Sequence, residues 1–204
     1  PNILNSVGEP DLKTEVFGTK MDMPIFLSPT AMQSLYHPDG DKASARAAEK
    51  FGTIYSMSTM ASFSIEEIAN LSSGPKIFQL YIHKDQSITD DLIDRCKRAN
   101  FNGMCITVDT IVAGNRERDH RTGFTTPPKF TLDSLMSFAM RPQWVFNYFT
   151  NKKFELANLK DKVEKGTNIA QSVMGYINEQ YDPAMNWKDA EYCICLLYTS
   201  PSPR

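Results

Sequence analysis

The stretch MCITVDTIVAGNRERDH, residues 104–120, runs from an apolar strand into a dense series of charges. Its first five residues are apolar or β-branched, as in a strand buried on both faces of a parallel sheet. Asp109 follows directly, and Arg116 comes shortly afterwards. The charges either form a site at the carboxyl end of the strand or cap a turn and face solvent. The residue pattern alone favours the second interpretation.

Similar apolar runs recur upstream at regular intervals. The four runs begin at residues 24, 53, 76 and 104, so successive starts are 29, 23 and 28 residues apart. This spacing is that of a strand, a helix and two loops, about 30 residues. The chain is therefore predicted to be an α/β protein with four consecutive βα units, whose strands are Pro24–Leu27, Thr53–Met57, Lys76–Ile82 and Met104–Val108.

The segment after the first strand predicts an amphipathic helix over Asp41–Phe51. Ala43, Ala47 and Phe51 are spaced four apart and are predicted to form its buried face. Gly52 is suited to the left-handed residue that ends a helix.

The next two intervening segments also carry helix signals. Residues 64–67, SIEE, fit a capping box, with Ile65, Ile68 and Leu71 behind it. Thr89 is predicted to cap a third helix that buries Leu92, Cys96 and Ala99.

Beyond Arg121 this alternation stops. Helices are predicted over Thr131–Met140, Pro142–Phe149 and Asn168–Gln180, within a long insertion at about 114–186. An insertion of this length in one βα loop either covers a site or packs as a surface subdomain.

Composition narrows the functional classes. The chain has 204 residues, 41% of them hydrophobic, and a formal net charge of −2. This length is enough for a sizeable core, and the charge gives no basis for expecting nucleic acid. No apolar run approaches the roughly 20 residues of a membrane-spanning helix. The four cysteines predict neither a disulfide framework nor a metal site, and Cys96 and Cys105 are expected to be small buried hydrophobic residues.

Polar side chains follow each predicted strand, at residues 28–30, 58–59, 79–81 and 107–109. Half barrels and open sheets both place sites at that end, so the four units alone do not decide between them. No Gly-x-Gly-x-x-Gly follows the first strand, which weakens a dinucleotide-binding interpretation.

Five segments together resemble one enzyme family. SPTAMQSLYHPDGDKASARAAEKFGT, MSTMASFSIEEIA, FQLYIHKD, ITVDTIVAGNRERD and NWKDAE occur in this order between Asp11 and Glu191. The set is similar to the FMN-dependent α-hydroxy acid dehydrogenases and oxidases. The GNRERD…TGFTTPPKFTLDSL stretch most resembles the bacterial-type L-lactate dehydrogenase branch.

The resemblance implies a (β/α)8 TIM-type barrel with FMN across the carboxyl ends of its strands, of which this chain holds about the first four βα units. The residues that it assigns to the cofactor are Pro29, Thr30, Ala31, Ser58, Gln79 and Thr107. Without the resemblance, the favoured interpretation would be that the hydroxyl and amide groups of these residues cap loops and satisfy backbone groups.

The resemblance also implies catalytic roles in the oxidation of an L-2-hydroxy acid, with lactate as the expected substrate. Asp109 would orient and charge-stabilise a histidine base, and Arg116 would bind the substrate carboxylate through a two-pronged hydrogen bond. Tyr81 would hydrogen-bond the substrate. Met60 would face the substrate tail or simply pack in the core.

Several family features have no counterpart in this sequence. The resemblance ends at Glu191, before the fifth strand and the catalytic histidine, and His37, His83 and His120 do not match that position. Residues 192–204, YCICLLYTSPSPR, are interpreted as a non-native tail without helix or strand character. The chain alone is therefore expected to be inactive and to expose open sheet edges.

Two other functions and several associations remain open at this stage. The chain could belong to another FMN- or phosphate-binding barrel, or be a non-catalytic half barrel that binds a partner. The full-length protein is expected to be a cytoplasmic homo-oligomer with an unidentified electron acceptor. The aromatic insertion is either a lid or a peripheral contact with the inner face of a membrane.

Overall fold

The computed structural model describes residues 10–16, 18–108, 117–122, 131–150, 155–159, 181–182 and 184–197, without the side chains at 119, 120, 122 and 195–197. Asp109, Arg116 and the predicted helix Asn168–Gln180 lie outside these residues. The strands are β1 (Thr14–Val16), β2 (Thr19–Met21), β3 (Tyr55–Ser58), β4 (Lys76–Leu80) and β5 (Gly103–Ile106). The helices are α1 (Gly40–Lys50), α2 (Ile65–Leu71), α3 (Gln86–Arg98), α4 (Glu117–Thr122), α5 (Leu132–Ala139), α6 (Pro142–Thr150) and α7 (Trp187–Leu197).

The central sheet is parallel, as predicted, with the order β3-β4-β5. The predicted strand Pro24–Leu27 is reduced to one parallel bridge between Leu27 and Tyr55. Two backbone hydrogen bonds hold this bridge, since Leu27 N–H donates to Ile54 O at 3.1 Å and Leu27 O accepts from Ser56 N–H at 3.1 Å. Four neighbouring chain segments therefore run in the same direction.

One face of the sheet packs against α1, α2 and α3 and forms the main core. Strand side chains in this core include Tyr55, Met57, Phe78 and Leu80, all nearly inaccessible to solvent. They alternate with residues on the opposite face, as the two-residue period of a strand requires. The apolar runs identified in the sequence thus supply this core through every second residue.

The predicted buried face of α1 is wrong. Phe51 is 56% exposed, and the residues of α1 that pack inward are Asp41, Ala45 and Ala48. Their spacing of four and three is as helical as the predicted set. The inner face contains an acid, Asp41, and excludes the large aromatic Phe51, so apolar spacing alone predicted the wrong face.

The capping box of α2 is confirmed: Ser64 Oγ accepts from Glu67 N–H at 3.1 Å, and Glu67 Oε2 accepts from Ser64 N–H at 2.9 Å. The predicted cap of α3 is wrong. Asp85 is the cap, because its Oδ1 accepts from Ser87 N–H at 3.0 Å. Thr89 is buried inside α3 and accepts instead from His83 N–H at 3.1 Å.

The opposite face of the sheet is closed at one end only. Met21 from the β1–β2 hairpin packs there with Ile54 and Ile77 in a small second cluster. Cys105, expected to be buried, is exposed on this face. Cys105 pairs with Gln79 of β4, but no strand pairs with the other side of β5 among the described residues, which form a partial sheet and not a closed barrel.

Helices α5 and α6 of the insertion form as predicted. The later part of the insertion is anchored on the core. Leu156 and Leu159 are buried among the core residues. Between them, Asn158 Oδ1 accepts from Ile65 N–H at 3.0 Å and from Arg95 at 3.2 Å. The segment 155–159 is thus fixed to the first residue of α2 and to Arg95 of α3.

The interpretation of residues 192–204 as lacking helical character is wrong for their first part. Helix α7 continues to Leu197, so the proposed boundary at residue 191 falls within a helix. Cys193 is buried in the core, and the Tyr192 hydroxyl donates to the Asp90 carboxylate at 3.2 Å. Residues 192–197, YCICLL, are apolar at every position, so the run has no helical period that would have predicted this turn.

Two glycines with positive φ give a matched test of the turn after α1. Gly52 (φ +58°) ends α1, and a Cβ there would collide with the Asp22 carboxylate; at Gly18 (φ +70°) a Cβ would meet open space. We expect Gly18→Ala to cost about 1 kcal/mol of unfolding free energy and Gly52→Ala about 2–3 kcal/mol, because Asp22 must also move. Urea denaturation measures both, and equal losses would contradict the role given to Asp22.

Candidate functional site

Three polar side chains join across the sheet at the carboxyl ends of β3, β4 and β5. Ser58 Oγ donates to Gln79 Oε1 at 3.2 Å, and Gln79 Nε2 donates to Thr107 Oγ1 at 2.6 Å. Ser58 and Gln79 are register partners, and Thr107 follows the last pair of β4 and β5. The parallel register therefore assembles three residues that the sequence spaces 21 and 28 positions apart.

These contacts leave hydrogen-bond donors for a ligand. The amide of Gln79 has two N–H groups, and the described residues use one of them. The Thr107 hydroxyl accepts from Gln79, so its own hydrogen can point elsewhere. Both donors lie at the edge where α/β proteins bind ligands. They fit the polar edge of a flavin ring, which presents carbonyl and ring-nitrogen acceptors.

Thr59 holds the backbone on either side of Leu80, next to this row. The sequence marks it as a polar residue but assigns it no role. Its Oγ1 donates to Gln79 O at 2.6 Å and accepts from Tyr81 N–H at 3.3 Å. The side chain is fully buried. A hydroxyl directly after a buried strand was the available signal, because such a group needs a backbone partner.

The loop that carries the other predicted cofactor residues, Pro29, Thr30 and Ala31, touches the loop that carries Met60. Pro29 and Thr30 are exposed, whereas Ala31 packs partly on the core. Next to them, Met32 adopts a left-handed φ of 55°, and its N–H donates to Met60 O at 3.0 Å. Met60 is itself buried in the core cluster.

Tyr81 stacks on a residue from the far end of the insertion. Its ring lies 4.5 Å from that of Tyr181, with an interplanar angle of 22°. Tyr181 also forms an antiparallel bridge with His83, and Asp182 N–H donates to Ile82 O at 3.2 Å. No local pattern predicts a role for Tyr181, because its contact with Tyr81 joins residues that are far apart along the chain.

Neither of the two histidines whose side chains are described competes for a role at this edge. His83 is buried, and removal from solvent lowers the pKa of its imidazole to about 4, so the ring is neutral at pH 7. His37 is exposed, and its Nδ1 accepts from Asp39 N–H at 3.2 Å. His120 belongs to α4, but its side chain is not described.

Asp109 and Arg116 lie outside the described residues. Val108, the residue before Asp109, is 63% exposed immediately past β5. Glu117 and Arg118 at the start of α4 are exposed, and Glu117 pairs with Arg121 at 3.3 Å along this helix. Strand β5 itself ends at the same edge of the sheet as Ser58, Gln79 and Thr107.

Comparison with known proteins agrees with this arrangement. A family model described as FMN-dependent dehydrogenase matches residues 1–194. The glycolate oxidases of Zea mays and Spinacia oleracea are each 37% identical over 192 residues, which cover 94% of this chain and 46% of theirs. The chain thus spans about half the length of the curated relatives that it matches.

A solved structure agrees as well. The crystal structure of the monotopic membrane protein (S)-mandelate dehydrogenase aligns with a TM-score of 0.86 and 28% identity, covering 96% of this chain and 52% of that one. Such structures are TIM-barrel flavoproteins, which confirms the predicted fold class. The chain belongs to the FMN-dependent dehydrogenase family, whose cofactor is FMN.

Proposed function

We propose that this chain supplies the first half of a barrel that oxidises an L-2-hydroxy acid to the 2-oxo acid with FMN. The observation that carries the proposal is the hydrogen-bonded row Ser58–Gln79–Thr107 at the carboxyl edge of the sheet. Its two remaining donors suit a ring that gains negative charge on reduction. The glycolate oxidase relatives support this class of substrate.

The cofactor would be held from two sides. Ser58, Gln79 and Thr107 would donate to the polar edge of the ring, while the loop at residues 29–31 would lie along it. When bound, FMN supplies the electron acceptor for the two electrons that leave the substrate. The buried Thr59 would fix the position of the Gln79 backbone, because its hydroxyl hydrogen-bonds the backbone on either side of Leu80.

The substrate would be held by Arg116 and Tyr81. A guanidinium forms two parallel, charge-assisted hydrogen bonds with a carboxylate and so fixes the orientation of the α-carbon. The hydroxyl of Tyr81 would bond the substrate oxygen, and stacking on Tyr181 restricts the ring. We favour lactate as the substrate on the residues of the GNRERD…TGFTTPPKFTLDSL stretch.

We propose that Asp109 acts on a histidine base, a role that none of His37, His83 and His120 matches by motif. A carboxylate stabilises the imidazolium that forms when a histidine takes a proton. His83 is unsuited because it is buried beside Tyr181, and His37 is unsuited because it bonds its own loop. We therefore expect the 204-residue chain alone not to turn over.

The substrate role of Arg116 is tested in the protein encoded by the complete reading frame that contains this chain. Arg116→Ala should lower kcat/KM for 2-hydroxy acids about a hundredfold or more, because two charge-assisted hydrogen bonds are lost. Arg118→Ala, in the same charged stretch and exposed, is the matched control and should stay near wild type. Steady-state rates decide, and full activity of Arg116→Ala would defeat the proposal.

We further propose that α5 and α6 touch an anionic membrane surface. Met140, Phe146 and Phe149 are 78%, 67% and 79% exposed, and Arg141 lies between the two helices. Such an apolar face beside basic residues suits an interfacial contact. The printed description of the mandelate dehydrogenase as monotopic supports this choice. Among the described residues, no helix is long and apolar enough to cross a membrane.

Co-sedimentation with vesicles that contain anionic lipid tests the contact. The double substitution Phe146→Ser and Phe149→Ser should lower the pelleted fraction several-fold, because each buried aromatic contributes roughly 2 kcal/mol. Trp187→Ser removes an equally exposed aromatic outside the insertion and should leave it unchanged. If wild-type protein stays in the supernatant, the insertion is a lid without membrane contact.

A further inference from the structure

Asp41 is a fully buried acid that the proposed chemistry does not use. It is the second residue of α1, and its exposed fraction is 0%. Its Oδ1 accepts from the Tyr55 hydroxyl at 3.0 Å, and its Oδ2 accepts from Ser62 N–H at 2.9 Å. Burial raises the pKa of the carboxyl, and the hydrogen bond from Ser62 opposes that rise. A buried acid is retained only where its hydrogen bonds offset its lost hydration.

The two partners of Asp41 hold different parts of the molecule. Tyr55 begins β3 and lies in the core between sheet and helices. Ser62 lies in the loop between β3 and α2, so its N–H ties that loop to the first turn of α1. Because a carboxylate only accepts hydrogen bonds, it satisfies both donors at once.

Ser62 also connects this loop to the one before α1. Its Oγ accepts from Ser34 N–H at 3.1 Å. Nearby, Met60 O accepts from Met32 N–H at 3.0 Å, which helps to hold Met32 in its left-handed conformation. Within the loop between β3 and α2, Met60 N–H donates to Ser58 Oγ at 3.1 Å. The contacts link residues 58–62 to residues 29–35, which together carry four of the residues proposed to contact FMN.

We propose that Asp41 is a positioning residue that holds these two loops at the flavin edge through Ser62, without touching cofactor or substrate itself. The inference rests on the proposed function, because it assumes that Ala31 and Ser58 contact FMN. An alanine in place of Asp41 removes both acceptor oxygens. The loop N–H of Ser62 and the hydroxyl of Tyr55 would then lose their shared partner.

The test compares Asp41→Ala with Tyr55→Phe in the product of the complete reading frame. Each variant removes at least one hydrogen bond of the carboxylate, so both should lower the melting temperature. Only Asp41→Ala frees the loop at Ser62. We expect its FMN dissociation constant, measured by flavin fluorescence, to rise about tenfold, with a shifted visible flavin spectrum. In Tyr55→Phe the FMN dissociation constant should stay within about twofold of wild type, and the flavin spectrum should be unchanged.

A second variant covers the case in which Asp41→Ala fails to fold. Ser62→Ala removes only the bond from Ser34 N–H and should raise the FMN dissociation constant about fivefold. Unchanged FMN affinity in the folded loop variants, or an equal rise in Tyr55→Phe, overturns the positioning role and leaves the proposed function intact. A wild-type protein that binds no FMN overturns both.

Discussion

The parallel register of β3, β4 and β5 is the constraint on which the site depends. Parallel strands end at the same edge, and the two-residue period points alternate side chains to the same face. Ser58, Gln79 and Thr107 meet for these two reasons, although 21 and 28 residues separate them along the chain. A shift of one residue in either pairing would turn a member of this row toward the helices.

The helix side of the sheet secures that register. Every second strand residue enters the core formed with α1, α2 and α3, so sliding a strand would bury polar groups and expose Met57 or Phe78. The long insertion reinforces the same structure from outside, through Asn158 between α2 and α3 and Tyr181 against Tyr81. Precision at the carboxyl edge thus arises from packing at a distance from it.

The sequence predicted the elements whose causes are local. The four apolar runs, the capping box at Ser64 and the stop at Gly52 follow from spacing and residue type within a few positions. The family was predicted from five ordered motifs and is confirmed. The first strand was overestimated, because an apolar run does not reveal how many residues its neighbour will pair with.

Two of the errors involve contacts between distant segments, and the cap of α3 is a local one. The buried face of α1 was missed because it contains Asp41, whose charge is acceptable only with the hydroxyl of Tyr55 and the N–H of Ser62 nearby. Asp85 displaced Thr89 as a cap because Thr89 is used by His83. Cys105 was expected to be buried, since the sequence shows a strand but not which segments cover it.

We propose that the carboxyl edge of this sheet is one side of a flavin site for a 2-hydroxy acid. The most direct measurement is anaerobic addition of L-lactate or another L-2-hydroxy acid to FMN-reconstituted protein from the complete reading frame, followed in the visible flavin band. Loss of that band together with formation of the 2-oxo acid is the predicted result. Protein that takes up no FMN, or a flavin band that persists with every 2-hydroxy acid, would contradict it.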